Sequence, residues 1–222
     1  MSKNTTKKKV LIVDDHAVLR GGLSQVIGQQ EDLEVCGEAE SAPDALTAID
    51  TLMPDVAIVD LSLASGSGLE LIKEISARFP KLPVVVLSMH DETLYASRAL
   101  KAGALGYVMK KESTEHVISA LRKVLDGGYA LSDNMIARMM GTFVRGKKPL
   151  ARSPVDLLSD RELEVFQLLG QGHSTREIAK VLHLSIKTVS AYRENIKQKL
   201  KLKSANELVR HAIHWATLNY AE

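Results

Sequence analysis

The sequence predicts a two-part protein. The first part is an α/β fold, a doubly wound five-stranded parallel sheet of the flavodoxin-like kind. A small all-α helix-turn-helix domain follows. Three observations carry this. Between residues 9 and 126, short β-rich runs alternate with helical patterns five times over. The runs are near-continuously apolar, as strands covered on both faces must be. From residue 157 onward the apolar period is helical only.

Taken in order, the first strand is 9–13, and it ends on the pair Asp14-Asp15. A helical pattern over 16–29 follows, then a strand over 34–39 and a helix over 42–52. The third strand, 55–59, ends on Asp60 and leads to a helix over 68–78 that opens at Gly68. The fourth, 83–87, is followed at once by Ser88, and then by a helix over 92–101. The fifth, 105–108, leads to Lys110, and the helix over 114–126 stops at Gly127-Gly128. Residues 129–156 read as a linker. They carry Gly141, Gly146, Pro149, Pro154 and the basic pair Lys147-Lys148. Their first part, about 132–144, has an apolar helical pattern in Met135, Ile136, Met139, Met140 and Phe143. The expected domains are therefore 1–128, a partly helical linker 129–156, and 157–222.

In the last domain three segments open with a Ser-x-x-Glu capping box: Ser159/Glu162, Ser174/Glu177 and Ser204/Glu207. Ser185 caps a fourth helix running to about residue 200. Leu163, Val165, Phe166, Leu169, Ile178, Ala179, Leu182, Val189 and Ile196 suit a compact core. The short turn Leu182-His183-Leu184-Ser185 between two helices is a helix-turn-helix signature. On the second of these helices Val189, Tyr192, Ile196 and Leu200 face the core, and Lys187, Ser190, Ala191, Glu194 and Lys197 face outward. An apolar stripe of Leu208, Ile213 and Trp215 on the final helix suggests a homodimer contact.

Composition bounds the function. The single cysteine, Cys36, excludes an internal disulfide framework and reads as a small apolar filler of the second strand. No apolar stretch approaches the ~20 residues needed to span a bilayer. The basic start Lys7–Lys9 runs straight into a strand with no signal-peptide pattern, so the protein is read as cytoplasmic, without a membrane partner. Net charge is −4 over residues 1–128, +4 over 129–155 and +2 over 156–222. Between 187 and 203 six basic residues stand against Glu194 alone, so an anionic polymer belongs at the back of the chain.

In a parallel α/β sheet, ligands bind outside the carboxyl ends of the strands. Asp14, Asp15, Asp60, Ser88 and Lys110 all fall there. One such carboxylate is commonly a solvated cap, but compatible chemistry at four strand ends points to a site. Three neighbouring carboxylates call for a cation. Oxygen-only ligands suit Mg²⁺. Lys110 is a mobile charge suited to a phosphoryl group, and a carboxylate can itself be the nucleophile. His211 and His214 share a helix face but lack a third metal ligand.

These residues resemble those of a response-regulator receiver domain. The resemblance lies in Val-Asp-Asp-His at 13–16, Asp60 with Gly68 eight residues on, Ser88 after Val84–Leu87, and Gly106-Tyr107-Val108-Met109-Lys110. It implies that Asp60 accepts a phosphoryl group from a sensor histidine kinase. Mg²⁺ would be held by Asp14, Asp15, Asp60 and the backbone carbonyl of Ser62. Ser88 and Tyr107 would be the switch pair, Ser88 moving toward the phosphoryl group and the Tyr107 ring turning inward. Lys110 would pair with the phosphoryl oxygens. Ser62 and His90 fall where such domains tune phosphoryl loss. Ala64 and Lys111 stand where many receivers have proline.

Residues 157–217 resemble a LuxR-type helix-turn-helix, in Leu158-Ser159-x-Arg161-Glu162, Gly172-x-Ser174, Glu177-Ile178-Ala179, Ser185-x-x-Thr188-Val189 and Lys199-Leu200. Together the two resemblances give the NarL/FixJ class of response regulators, which implies phosphorylation-controlled binding of double-stranded DNA. Lys187, Thr188, Arg193 and Lys197 are expected at the DNA backbone; Ser190, Ala191 and Glu194 fall where base edges are read. None of those three can make the bidentate contact to guanine, so a degenerate site read partly through DNA shape is expected. A homodimer is expected on phosphorylation, and RNA polymerase is a further candidate partner. The chain is read as a regulator and not an enzyme. A phosphohydrolase would want a second acid two residues after Asp60, where Ser62 stands; a nucleotide-binding Rossmann domain would want glycines where Asp14-Asp15-His16 stand. DNA binding independent of phosphate is a third alternative.

Overall fold

A computed structural model describes residues 6–63, 67–144 and 154–220. Ala64, Gly146, the Lys147-Lys148 pair and Pro149 lie outside the described residues, as do the side chains of Met139 and Phe143. The chain divides into two compact units, Met1–Gly141 and Thr142–Glu222.

The first unit alternates strand and helix: β1 Lys8–Val13, α1 Ala17–Gly28, β2 Leu33–Ala39, α2 Ala42–Leu52, β3 Val56–Val59, α3 Gly68–Arg78, β4 Val84–Ser88, α4 Glu92–Ala102, β5 Gly106–Met109 and α5 Thr114–Leu125. Helix α6, Asp133–Val144, follows. The strands form one sheet in the order β2-β1-β3-β4-β5, and every pairing is parallel. The chain thus steps outward from β1 in both directions, and the crevice where the order reverses lies at the β1 and β3 ends. The central strands β3 and β4 are buried throughout, which explains their unbroken apolar runs. On one face of the sheet Leu23 and Ile27 of α1 and Val117, Ile118 and Leu121 of α5 pack against Val10, Ile12, Ile58 and Val85.

Edge strand β2 departs from a regular ladder. Its register to β1 slips between Val10↔Val35 and Leu11↔Gly37, leaving Cys36 as the extra residue of a bulge. The Cys36 thiol turns back on the Val10 carbonyl at 3.4 Å. Cys36 is therefore only half-buried in a kink rather than filling the core.

The second unit opens with a 3₁₀ turn, Pro154–Leu157, and holds α7 Asp160–Gly170, α8 Thr175–Val181, α9 Ile186–Lys199 and α10 Ala205–Tyr220. Ser159 and Ser174 form complete capping boxes with Glu162 and Glu177. The third box is altered. Ser204 accepts from the Glu207 amide at 3.1 Å, but the Glu207 carboxylate takes the Lys203 amide at 2.7 Å instead of that of Ser204. The turn between α8 and α9 closes as a Schellman motif, with Leu184 N–H donating to Ala179 O and His183 N–H to Lys180 O. His183 takes the left-handed position (φ 52°) that glycine usually fills.

Phe166 is fully buried, with its ring edge-on to Trp215 at 5.5 Å. Leu208, Ala212, Trp215 and Ala216 of α10 are buried, a helical stripe at i, i+4, i+7 and i+8. The expected stripe of Leu208, Ile213 and Trp215 is thereby corrected. Leu208 and Trp215 face the unit's own core, while Ile213 lies off that stripe and is exposed. Leu182, expected in the core, and Tyr192 are half-buried.

Candidate functional site

The β1–β3 register builds the first site. Val13 pairs with Val59, so the next residues, Asp14 and Asp60, emerge side by side, and the Asp60 amide donates to Val13 O at 2.9 Å. On the other flank Ser88 pairs with Met109, and Lys110 N–H donates to Ser88 O at 2.8 Å. The sheet thus gathers Asp14, Asp60, Ser88 and Lys110, which are up to 96 residues apart in the chain. Asp14, Asp60 and Ser88 are buried.

Lys110 Nζ lies 2.7 Å from both Asp14 Oδ2 and Asp60 Oδ2. Burial disfavours its ammonium, but Asp60 and Asp14 outweigh that and hold Lys110 above its ordinary value. One lysine does not balance the three carboxylates of this crevice. Burial accordingly pushes Asp60 up to about 6, against the pull of Lys110. Asp14, Asp15, His16 and Asp60 each offer a ligand atom, all within 4.8 Å of one another. Asp15 Oδ1 is buried; it lies 2.8 Å from His16 Nδ1 yet accepts no hydrogen bond. A net negative, oxygen-rich crevice with an orphaned carboxylate oxygen fits a hard divalent cation such as Mg²⁺.

The expected switch pair, Ser88 and Tyr107, is joined through the backbone of His90. The Tyr107 ring is buried, and its hydroxyl donates to His90 O at 2.8 Å. Burial raises its phenol well above the ordinary value. Ser88 Oγ accepts from the His90 amide at 3.1 Å. The His90 ring stacks on Tyr95 at 4.4 Å, and its Nε2 lies 2.9 Å from Ser62 Oγ. Burial, aided by Lys110, lowers His90 to about 4, so the imidazole is neutral at pH 7. The Ser62 amide donates to Asp60 Oδ1 at 3.2 Å.

Sequence reasoning missed Arg20. It is 6% exposed, and its Nη1 donates to the Asp14 carbonyl at 2.6 Å. Its remaining nitrogens pair with Glu38 (3.2 Å) and Glu40. A buried guanidinium thus fixes the backbone of a cluster carboxylate. The only signal was a charged residue on the core-facing side of an otherwise apolar helix, level with Leu23 and Ile27.

The second site is the exposed face of α9. Lys187, Ser190, Ala191 and Glu194 are exposed, while Thr188, Arg193 and Lys197 are half-buried. Val189 and Ile196 anchor the helix from the other side. Glu194 is paired with Lys197 at 2.7 Å, and that lysine lowers its carboxyl. Arg193 Nη1 donates to Thr175 Oγ1 at the start of α8. Lys199 reaches the buried Glu162 of the first capping box at 2.6 Å, which ties the end of α9 to the start of α7. Among the described residues no helix is long and apolar enough to cross a membrane.

The family profile described as "Response regulator receiver domain" matches residues 10–122. A second, "Bacterial regulatory proteins, luxR family", matches 156–212. The chain is 38% identical over 216 residues to the oxygen regulatory protein NreC of Staphylococcus carnosus, covering 96% of this chain and all of the relative. Among solved structures it is similar to RcsB from Salmonella enterica serovar Typhimurium bound to a promoter in the presence of phosphomimetic BeF₃⁻. That match has 28% identity and TM-score 0.63, over 93% of this chain and 98% of the other. It is also similar to a structure of two RcsB dimers bound to two parallel DNAs, with 29% identity and TM-score 0.56, over 92% of this chain and 97% of the other.

Proposed function

The chain belongs to the two-component response regulators that join a receiver domain to a LuxR-type DNA-binding domain, and we propose that Asp60 is the phosphoacceptor through which its DNA binding is controlled. The observation that carries this is the buried cluster of Asp14, Asp60 and Lys110 at the switch-point crevice. In this reading an Asp60 oxygen attacks the phosphorus of a phosphohistidine on a sensor kinase. The new P–O bond forms as the P–N bond breaks, and the nitrogen leaves as imidazole. Lys110 follows the charge from carboxylate to phosphoryl oxygens. Asp14, Asp15, Asp60 and the Ser62 carbonyl would hold Mg²⁺, which when bound supplies charge neutralisation for the carboxylates and the transferring group. Ser62 and the neutral His90, in contact beside the pocket, would govern how water reaches the acyl phosphate.

The output is promoter binding by α9. Lys187, Thr188 and Lys197 contact phosphate, Arg193 is steadied by Thr175, and Ser190 and Ala191 face base edges. Because Lys197 neutralises Glu194, that acid costs little beside the DNA. The RcsB likenesses, one to a promoter complex with BeF₃⁻ and one to dimers on DNA, support a phosphate-favoured dimer on DNA, and we place its action in the cytoplasm. The domain division 1–128, 129–156 and 157–222 goes with this reading.

The test is labelling by radioactive acetyl phosphate with Mg²⁺, joined to DNA-site selection with and without beryllofluoride. Wild type takes up label and enriches an inverted repeat only with beryllofluoride, while Asp60→Ala does neither. Full labelling of Asp60→Ala overturns the acceptor assignment; equal enrichment in both samples overturns phosphate control.

A further inference from the structure

We propose that Glu92 is the positioning residue through which the Asp60 pocket sets the start of the linker helix α6. The inference rests on the phosphate-controlled reading above and says how the signal leaves the receiver. At the output end, Ser132 caps α6, its Oγ accepting from the Met135 amide at 3.1 Å. That same serine is gripped by the first residue of α4: its amide donates to Glu92 Oε1 at 3.0 Å and its hydroxyl to Glu92 Oε2. Two residues earlier the chain is stitched to the sheet edge. Tyr107 N–H donates to Ala130 O at 2.8 Å, and Ala130 N–H donates to Leu105 O at 2.9 Å. Gly106 permits this approach, since a Cβ there would lie 3.1 Å from that of Ala130. Met135, buried, seats the first turn of α6.

At the input end, Ser88 is four residues from Glu92, and the segment between is fastened to the switch pair. Ser88 Oγ holds the His90 amide, and His90 O holds the Tyr107 hydroxyl. The Ser88 hydroxyl accepts from the His90 amide and also hydrogen-bonds the Tyr107 phenol, and turning its proton to a phosphoryl oxygen leaves the His90 bond in place. A hydroxyl drawn to the phosphoryl group therefore draws the 88–92 segment with it. Tyr107 is pinned by its side chain to that segment and by its amide to Ala130, so both attachments of the linker move with the switch. Coupling requires an element whose arrangement both ends bias, and here that element is the Glu92–Ser132 clamp.

The test compares full-length wild type, Glu92→Ala, Glu92→Gln and Ser132→Ala. Each is measured for beryllofluoride uptake with Mg²⁺ and for affinity to the duplex enriched by wild type, with and without beryllofluoride. Wild type gains affinity with beryllofluoride. Both alanine variants keep uptake but lose about fivefold or more of that gain, and Glu92→Gln, which keeps an acceptor for the Ser132 amide, falls between. Ser132→Ala breaks the clamp from the other side should Glu92→Ala fold poorly. An unchanged gain in both alanine variants, or loss of uptake in Glu92→Ala, overturns the clamp alone. No gain in wild type overturns phosphate control itself, and the clamp with it.

Discussion

The proposed acceptor role needs an anionic Asp60, and the crevice that holds it disfavours the charge. Its carboxyl sits at about 6 against an ordinary 3.8, because burial and Asp14 outweigh what Lys110 returns. A folded value above the unfolded one means that the folded state binds the proton more tightly. The associated stability is full below about pH 4 and is lost as the pH rises through about 6. In EDTA, wild type should lose on the order of 3 kcal/mol from this group between pH 4 and 7. Asp60→Asn, which cannot titrate, should show the flatter profile and be more stable at pH 7. Urea unfolding at fixed pH measures this; parallel profiles for the two proteins would refute it. The acidic residues of this site were legible because each directly follows an apolar run. Arg20 and the His90–Tyr95 stack were not, since their partners lie across the fold and no local period marks them.

At the scale of elements, α3 begins where it does because Gly68 lets it. Its amide donates to Leu61 O at 3.0 Å, and a Cβ there would meet the Asp60 carbonyl oxygen at 2.0 Å. Backbone cannot yield as a flexible side chain does. Gly68→Ala should cost about 1–3 kcal/mol or more, the usual range for overpacking, and should weaken Mg²⁺ binding because the displaced group is the Asp60 backbone. Denaturant titration and calorimetric Mg²⁺ titration measure the two effects; Mg²⁺ affinity unchanged in a destabilised variant would separate α3 from the site. Element positions in the first unit were read from sequence to within a residue or two, since apolar period and polar strand ends coincide there. What failed was partner choice at equal spacing. Glu207 bonds Lys203 N–H rather than its own cap, and Ile213 was grouped with Leu208 although five residues put it on another face.

For the whole molecule the decisive quantity is where charge sits. The chain is nearly neutral in sum, yet residues 1–128 carry −4 and 129–155 carry +4. A polyanion therefore meets repulsion from one part and attraction from the rest, which makes DNA affinity strongly dependent on salt. Contacts to phosphate release counterions and set the slope of log affinity against log salt; contacts to bases set preference among sequences. In the proposed reading the face of α9 separates these roles. Lys187 is a charged and exposed side chain, whereas Ser190 is small, polar and aimed outward. Lys187→Ala should weaken binding to all sequences alike and reduce the salt slope by about one per protomer. Ser190→Ala should leave the slope and change the ranking of base substitutions in the half-site. Affinities measured from low to moderate salt on a panel of duplexes distinguish the two. A slope unchanged by Lys187→Ala, or one altered by Ser190→Ala, would reverse the assignment of backbone and base contacts on this helix.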